Sequence, residues 1–420
     1  VESRGLGDVY KRQNIQIPYN NQWVLYNTFT GALSILDSPI QQIDESHYSK
    51  LVEQGFLVDD RLDELNKLEF ERNRELYSSR VNHLHIEIAP TLRCQAKCWY
   101  CFENHGGIVM NRNVAEDVVA YLKRRIDSSG CKEFSLLFFG GEPLIAMDIV
   151  EIIGRSIKLY CDRKGIAFYI DIITNGINYT LDNAISLRKI NVRNVQITLD
   201  GLGQRHNQAK GVDCFSTVIK NIVDCCELSN VSIRINVSTE NKEEIPDLLK
   251  YLLEDLQLDG KIRVYLARVD SNDTCGIGDK TILDNRSFVD FRNNLVKELM
   301  RQYKSFEKKD LLPDIKRNYC GYECVSQIMI GPEGELYRCQ RTLGDKNNSV
   351  GDIYSGSFYS DDELSIVMAL EERCKKGCAL LPICYGGCPN ERRKGKENLN
   401  CKIKEEQIIK DIITFVQNSI

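Results

Sequence analysis

The sequence has no apolar run approaching the roughly 20 residues that a membrane-spanning helix needs. No secretory signal is read in these residues, so the cysteines are not expected to be disulfides. Nor is one sign of charge in excess. The 55 Lys and Arg against 60 Asp and Glu leave a net −5 at pH 7, giving no electrostatic argument for nucleic acid. Histidine is scarce, with five in all, and only His83 and His85 fall close together, two apart on a strand-like segment. That is not a metal spacing, and the pair is read as solvated or lining a barrel end. Cysteine, in contrast, is plentiful. Seventeen in a reducing cytoplasm, the expected location, are metal ligands or buried fillers more often than disulfides. At 420 residues, 42% hydrophobic and 27% charged, the chain is large enough for two or three globular domains.

Cys94, Cys98 and Cys101 stand in the run CQAKCWYC, directly after the alternating stretch HLHIEIAP. A four-iron cluster used only for electron transfer takes four cysteines. A tight trio leaves one iron open to another ligand, the same contrast that separates closed structural zinc sites from open catalytic ones. Taken alone, the trio also fits a zinc knuckle or buried thiols. The spacing is that of the radical S-adenosylmethionine (SAM) enzymes, and the chain resembles that superfamily. The resemblance implies a [4Fe-4S] cluster on these three thiolates, its free iron chelated by the amino and carboxylate groups of SAM.

Six strand-like segments, LHIEIA, FSLLFF, FYIDII, NVQITL, VSIRINVS and KIRVYLARV, alternate with helical patterns near 113–128, 144–164, 180–190, 214–228, 242–256 and 286–304. Such a series predicts an α/β fold, a partial (β/α)6 parallel barrel. In such barrels, reactive groups sit at the C-terminal ends of the strands. Unusual residues do cluster there: Cys94 after the first strand, Gly140, Gly141, Glu142 and Pro143 after the second, Thr174, Asn175 and Gly176 after the third, Asp200 and Gly201 after the fourth. A glycine pair lets a ligand approach the backbone closely. By the resemblance, residues 140–143 bind the SAM amino group. Polar residues that interrupt the strands add Asp171, Arg234 and Asn236, and Gln196, Thr198 and Asp200 share one strand face. Asp171 and Asn175 are expected near the SAM ribose and Arg234 near its carboxylate, or else these groups pair with one another. Tyr100 matches an aromatic position that packs near the adenine in the family.

The last hundred residues hold Cys320, Cys324, Cys339, Cys374, Cys378, Cys384, Cys388 and Cys401. This layout resembles the SPASM domain of radical SAM enzymes that modify peptides and proteins. The resemblance implies two auxiliary [4Fe-4S] clusters, one on Cys320, Cys324, Cys339 and Cys388, the other on Cys374, Cys378, Cys384 and Cys401. The family usually has two residues where Lys375, Lys376 and Gly377 stand, so Cys374 departs from the pattern. On spacing alone, eight thiolates fit two zinc sites equally well. The remaining Cys131, Cys161, Cys214, Cys225, Cys226 and Cys275 share no spacing and are read as buried fillers.

The expected organisation is an adaptor-like tract at 1–13 that displaces the native N-terminus, a small α+β unit at 14–62, a helical linker at 63–80, the radical SAM core at 81–305 and the cysteine-rich cluster-binding domain at 306–420. In the first unit, YNNQWVLYNTFTGALSIL reads as two strands about a turn and HYSKLVEQGFLV as a helix leading to a strand. It is read either as a cap on the barrel or as a precursor-recognition element that adds a peptide strand to a sheet edge. The resemblance implies cleavage of SAM to a 5′-deoxyadenosyl radical, with electrons from a donor such as flavodoxin or ferredoxin. Hydrogen abstraction from a precursor peptide or protein would then install a thioether or carbon-carbon crosslink. An anaerobic sulfatase-maturing, formylglycine-generating enzyme is the nearest alternative, although those enzymes have an aspartate where this chain has Gln340. A zinc-stabilised binding module without catalysis is the alternative of another class.

Overall fold

The computed structural model describes residues 13–59, 61–78, 80–103, 105–269, 281–357, 369–394 and 401–419. Cys275 and nearly all of the adaptor-like tract lie outside these residues. The chain forms two compact units, neither contiguous in sequence: Val1–Ser78 with Lys308–Val325 and Ser360–Ile420, and Ser79–Glu307 with Ser326–Tyr359.

The first unit begins with three antiparallel strands, β1 (Asn14–Tyr19), β2 (Gln22–Asn27) and β3 (Leu33–Leu36). Asn20 and Asn21 close the first hairpin with positive φ at both positions, the requirement of a two-residue turn that matches strand twist. Ile15, Ile17, Val24 and Tyr26 pack against Ile408, Ile412 and Val416 of the long helix Cys401–Ser419. Leu25 packs in a second cluster with Ile40, Leu51, Phe56 and Leu57. The strand expected at GFLV does not form, because Phe56 and Leu57 serve as plugs for this cluster rather than as ladder residues. The segment expected as a linker is also structural. The helix Glu64–Tyr77 is capped by Asp63, which accepts from Asn66 N, and it buries Leu68, Arg72 and Leu76. Arg72 and Arg392 both clasp the fully buried Glu323, at 3.0 and 2.7 Å.

The second unit is built on six parallel strands in chain order: β4 (His83–Ile88), β5 (Glu133–Phe138), β6 (Ala167–Thr174), β7 (Val192–Leu199), β8 (Asn230–Val237) and β9 (Arg263–Arg268). The expected six βα units are present. Two short strands from beyond the expected core boundary extend the sheet: β10 (Ile328–Ile330), parallel to β4, and β11 (Leu336–Tyr337), antiparallel to β10. Residues 326–359 therefore belong with the sheet. The strands alternate cleanly. Leu84, Ile86, Phe134, Leu136, Ile170, Ile172, Val195, Ile197, Val231 and Ile233 are buried. His85, Glu87, Ser135, Asp171, Gln196, Thr198, Arg234 and Tyr265 fall on the opposite face, by the period-two geometry of a strand. The polar interruptions in the sequence thus mark one whole face, not isolated defects.

Candidate active site

A cavity of about 390 Å³ lies within the second unit, lined by residues at the C-terminal ends of all six parallel strands. Cys94, Cys98 and Cys101 share it with Gly140 and Gly141, Thr174 and Asn175, Gln196 and Thr198, Arg234 and Asn236, and Arg268. The cysteine loop is anchored by Lys97 N and Trp99 N, which donate to the carbonyls of Lys210 and Ala209. Asn175 Nδ2 points at Cys94 Sγ, 3.7 Å away. Burial pushes the Cys94 thiol up to about 11 and Cys101 to about 12, so as free thiols both are neutral near pH 7.

Gly141 cannot be replaced without moving the backbone. Its φ is +44°, and a Cβ there would sit 2.3 Å from the Arg93 carbonyl oxygen. Glu142, expected with the glycines to contact SAM, turns away from the cavity. It is completely buried and accepts from Thr174 Oγ1 at 2.7 Å, Asn175 N at 2.8 Å and Leu144 N at 3.1 Å. Its role is to lock the loop after β5 to the end of β6, while Pro143 starts a short 3-10 turn. The Gly141 N–H is taken by Glu103, whose carboxyl is raised to about 7, chiefly by burial, with the Glu142 charge adding.

Tyr100 lines the cavity, and its hydroxyl joins a buried triad. It donates to both Asp200 oxygens, at 2.8 and 2.9 Å, and accepts from Lys210 Nζ at 3.0 Å. Lys210 also pairs with Asp200 at 3.0 Å, each side chain only 3% exposed. Burial works against the Lys210 charge, but Asp200, Tyr100 and Cys98 outweigh it and hold the ammonium well above its usual range. Arg234 Nε donates to Asn236 Oδ1 at 2.9 Å, so part of the expected internal pairing is present within the cavity wall. Asp171 follows the alternative expectation, pairing within the sheet. It is not among the lining residues, and its carboxylate accepts from Asn194 Nδ2 at 2.7 Å across the β6–β7 pair.

Lys210, Glu103, His105, Arg268 and Arg341 also line the cavity, although no local sequence pattern marks them. Gln340 lines it too, and donates from Nε2 to Glu87 Oε2 at 2.8 Å. The carboxyl of Glu87 is raised by burial, with Gln340 opposing.

In the first unit, Cys374, Cys378, Cys384 and Cys401 line one small cavity. The extra residue before Cys378 is absorbed by Gly377 at φ +116°, so Cys374 shares this cavity with the other three. Cys320, Cys324 and Cys388 also lie in the first unit and Cys339 in the second. Cys131, Cys161, Cys214, Cys225 and Cys226 are buried. Among the described residues, no three Cys, His, Asp or Glu side chains are placed so as to hold a metal ion. The cysteines nevertheless suit iron-sulfur ligation, three around the larger cavity, which Glu103 and His105 also line, and four around the smaller. Among the described residues, no helix is long and apolar enough to cross a membrane.

Residues 88–252 match the family model of the Radical SAM superfamily. GTP 3′,8-cyclase of Clostridium perfringens (strain 13 / Type A) is 28% identical over 188 residues, which are 43% of this chain and 55% of that protein. The chain thus spans about half the length of this curated relative. Among solved structures, native anSMEcpe with bound AdoMet and Cp18Cys peptide superposes with a TM-score of 0.63 at 23% identity, covering 80% of this chain and 98% of that one. Streptococcus suis SuiB bound to precursor peptide SuiA superposes at 0.57 and 17% identity, covering 92% and 96%. At these identities, the two structures establish a shared fold.

Proposed function

We propose that this chain, which carries a radical SAM domain over residues 88–252, modifies a peptide or protein, installing a thioether or carbon-carbon crosslink in a precursor peptide. The observation that carries this reading is the convergence of three thiols, a glycine pair at positive φ and paired polar side chains on a single cavity at the strand ends. The peptide half of the reading draws on the two peptide-bound structures of the same fold. When bound on Cys94, Cys98 and Cys101, a four-iron cluster with SAM would supply one-electron cleavage to methionine and a 5′-deoxyadenosyl radical.

The chain's own residues do the positioning. Asn175 orients the Cys94 sulfur, and the Tyr100–Asp200–Lys210 triad fixes the cysteine loop against the end of β7. Gly140, Gly141 and Arg234 line the same cavity, so backbone carbonyls of the glycine turn could accept from an ammonium group and the Arg234 guanidinium could pair with a carboxylate. Such fixed placement is how a protein raises the effective concentration of a reacting hydrogen and excludes competing reactions. Electrons would come from a flavodoxin- or ferredoxin-like donor, and the eight C-terminal cysteines would hold two auxiliary clusters.

A second reading, formylglycine formation, is favoured by one contact. Gln340 cannot ionise, but Glu87 supplies a carboxylate one hydrogen bond behind it. Coexpression with any small open reading frame found beside the gene, or with a sulfatase-motif peptide, followed by mass spectrometry, tests both readings. A crosslink removes two hydrogens and leaves no aldehyde. A product captured by a hydrazide supports formylglycine, and unchanged peptides alongside full SAM cleavage count against peptide crosslinking.

A further inference from the structure

The small cavity of the first unit is lined by two cations as well as four thiols, and the two differ in their surroundings. Arg373 is paired with Glu371, which offsets its charge. Lys404 lies three residues after Cys401 on the same helix and therefore on the same face. Its Nζ approaches Cys384 Sγ at 3.2 Å and sits 5.1 Å from the Tyr319 ring centre. Among the described residues, it has no carboxylate partner.

A neutral thiol is a weak acceptor, whereas a sulfur that carries negative charge accepts an ammonium N–H strongly. The placement of Lys404 is thus matched to a thiolate ligand of a cluster. We propose that Lys404 is a positioning residue that raises the reduction potential of an iron-sulfur cluster on Cys374, Cys378, Cys384 and Cys401, poising that centre to accept an electron. This rests on the reading of the four cysteines as an auxiliary site. Reduction adds one negative charge to the cluster next to the ammonium. Charge and hydrogen bonds at cluster sulfurs are among the factors that set such potentials.

The test is a potentiometric titration of the anaerobically reconstituted full chain, followed by electron paramagnetic resonance. Lys404→Met is expected to keep its iron and to shift the reduction equilibrium tenfold toward the oxidised form, about 59 mV for a one-electron couple. Lys404→Arg is expected to restore most of the shift, and Lys402→Met, an exposed lysine on the same helix, to leave the potential unchanged. Should the Met variant not assemble its cluster, Lys404→Gln, which loses the charge but keeps an N–H, carries the same expectation. An unchanged potential at full iron in the Met or Gln variant overturns the proposal, as does an Arg variant as low as Met. Cys378→Ala separates the two levels of the argument. Its loss of about four iron supports the site, whereas full iron with an unaltered signal overturns the four-cysteine reading itself.

Discussion

The Tyr100–Asp200–Lys210 triad offers the sharpest energetic test. Replacing Lys210 by Met keeps most of the volume of the stem but leaves Asp200 charged, 3% exposed and held only by Tyr100 and weaker neighbours. At the observed 3.0 Å, two unit charges attract by about 5 kcal/mol at an effective dielectric near 20, before desolvation is counted. Breaking a buried pair from one side costs about 3–5 kcal/mol, because the stranded charge remains. Urea unfolding followed by near-ultraviolet circular dichroism should therefore show Lys210→Met destabilised by about 3–5 kcal/mol. The double variant Lys210→Met with Asp200→Asn should recover about 2 kcal/mol or more, the coupling expected of residues in direct contact. A loss below about 1 kcal/mol in the single variant, or a double variant no better than the single, would refute the argument that this pair is energetically coupled.

Three further outcomes follow from the same geometry. His206 is fully buried and its folded pKa is depressed to about 4, by burial first and Lys210 second. Its contribution is therefore complete above its usual 6.5 and is lost as pH falls from there to about 4. About 3 kcal/mol of acid-side loss should be present in the native chain and absent in His206→Asn, as read from urea midpoints across that window. Gly141→Ala forces a side chain into the left-handed region and onto the Arg93 carbonyl. A loss of 2 kcal/mol or more is expected, and an unchanged thermal midpoint with normal SAM binding would contradict the close approach. Cys98→Ala should abolish reductive formation of 5′-deoxyadenosine while leaving the far-ultraviolet spectrum intact; retained SAM cleavage would dismiss the thiol trio.

Much of this was legible in the sequence because it rests on short-range pattern. The six strands announce themselves by alternation, and the thiol trio and the Gly140–Gly141 turn by their place after β4 and β5. What escaped depends on distance in space. A strand pattern gives the face on which a polar residue lies but not its height, so Asp171 and Arg234 gave the same signal and only Arg234 reaches the cavity. Lys210 ends a short helix, Gly203–Lys210, within a polar stretch that reads as loop, and nothing local shows that its ammonium is buried against Asp200. The three residues Ile328–Ile330 are too short to read as part of a distant sheet, although their pairing with Ile86–Ile88 assigns residues 326–359 to the second unit. Phe56 and Leu57 have strand composition, but the cluster around Leu25 and Leu51 claims them.

Everything proposed for the two cavities depends on their thiols holding iron-sulfur clusters. Iron and acid-labile sulfide per chain, measured on protein purified and reconstituted without oxygen, test it most directly. Three four-iron centres give about twelve of each. About four would leave only the cluster on Cys94, Cys98 and Cys101, and near-zero iron with stoichiometric zinc would rule out iron-sulfur chemistry in this chain.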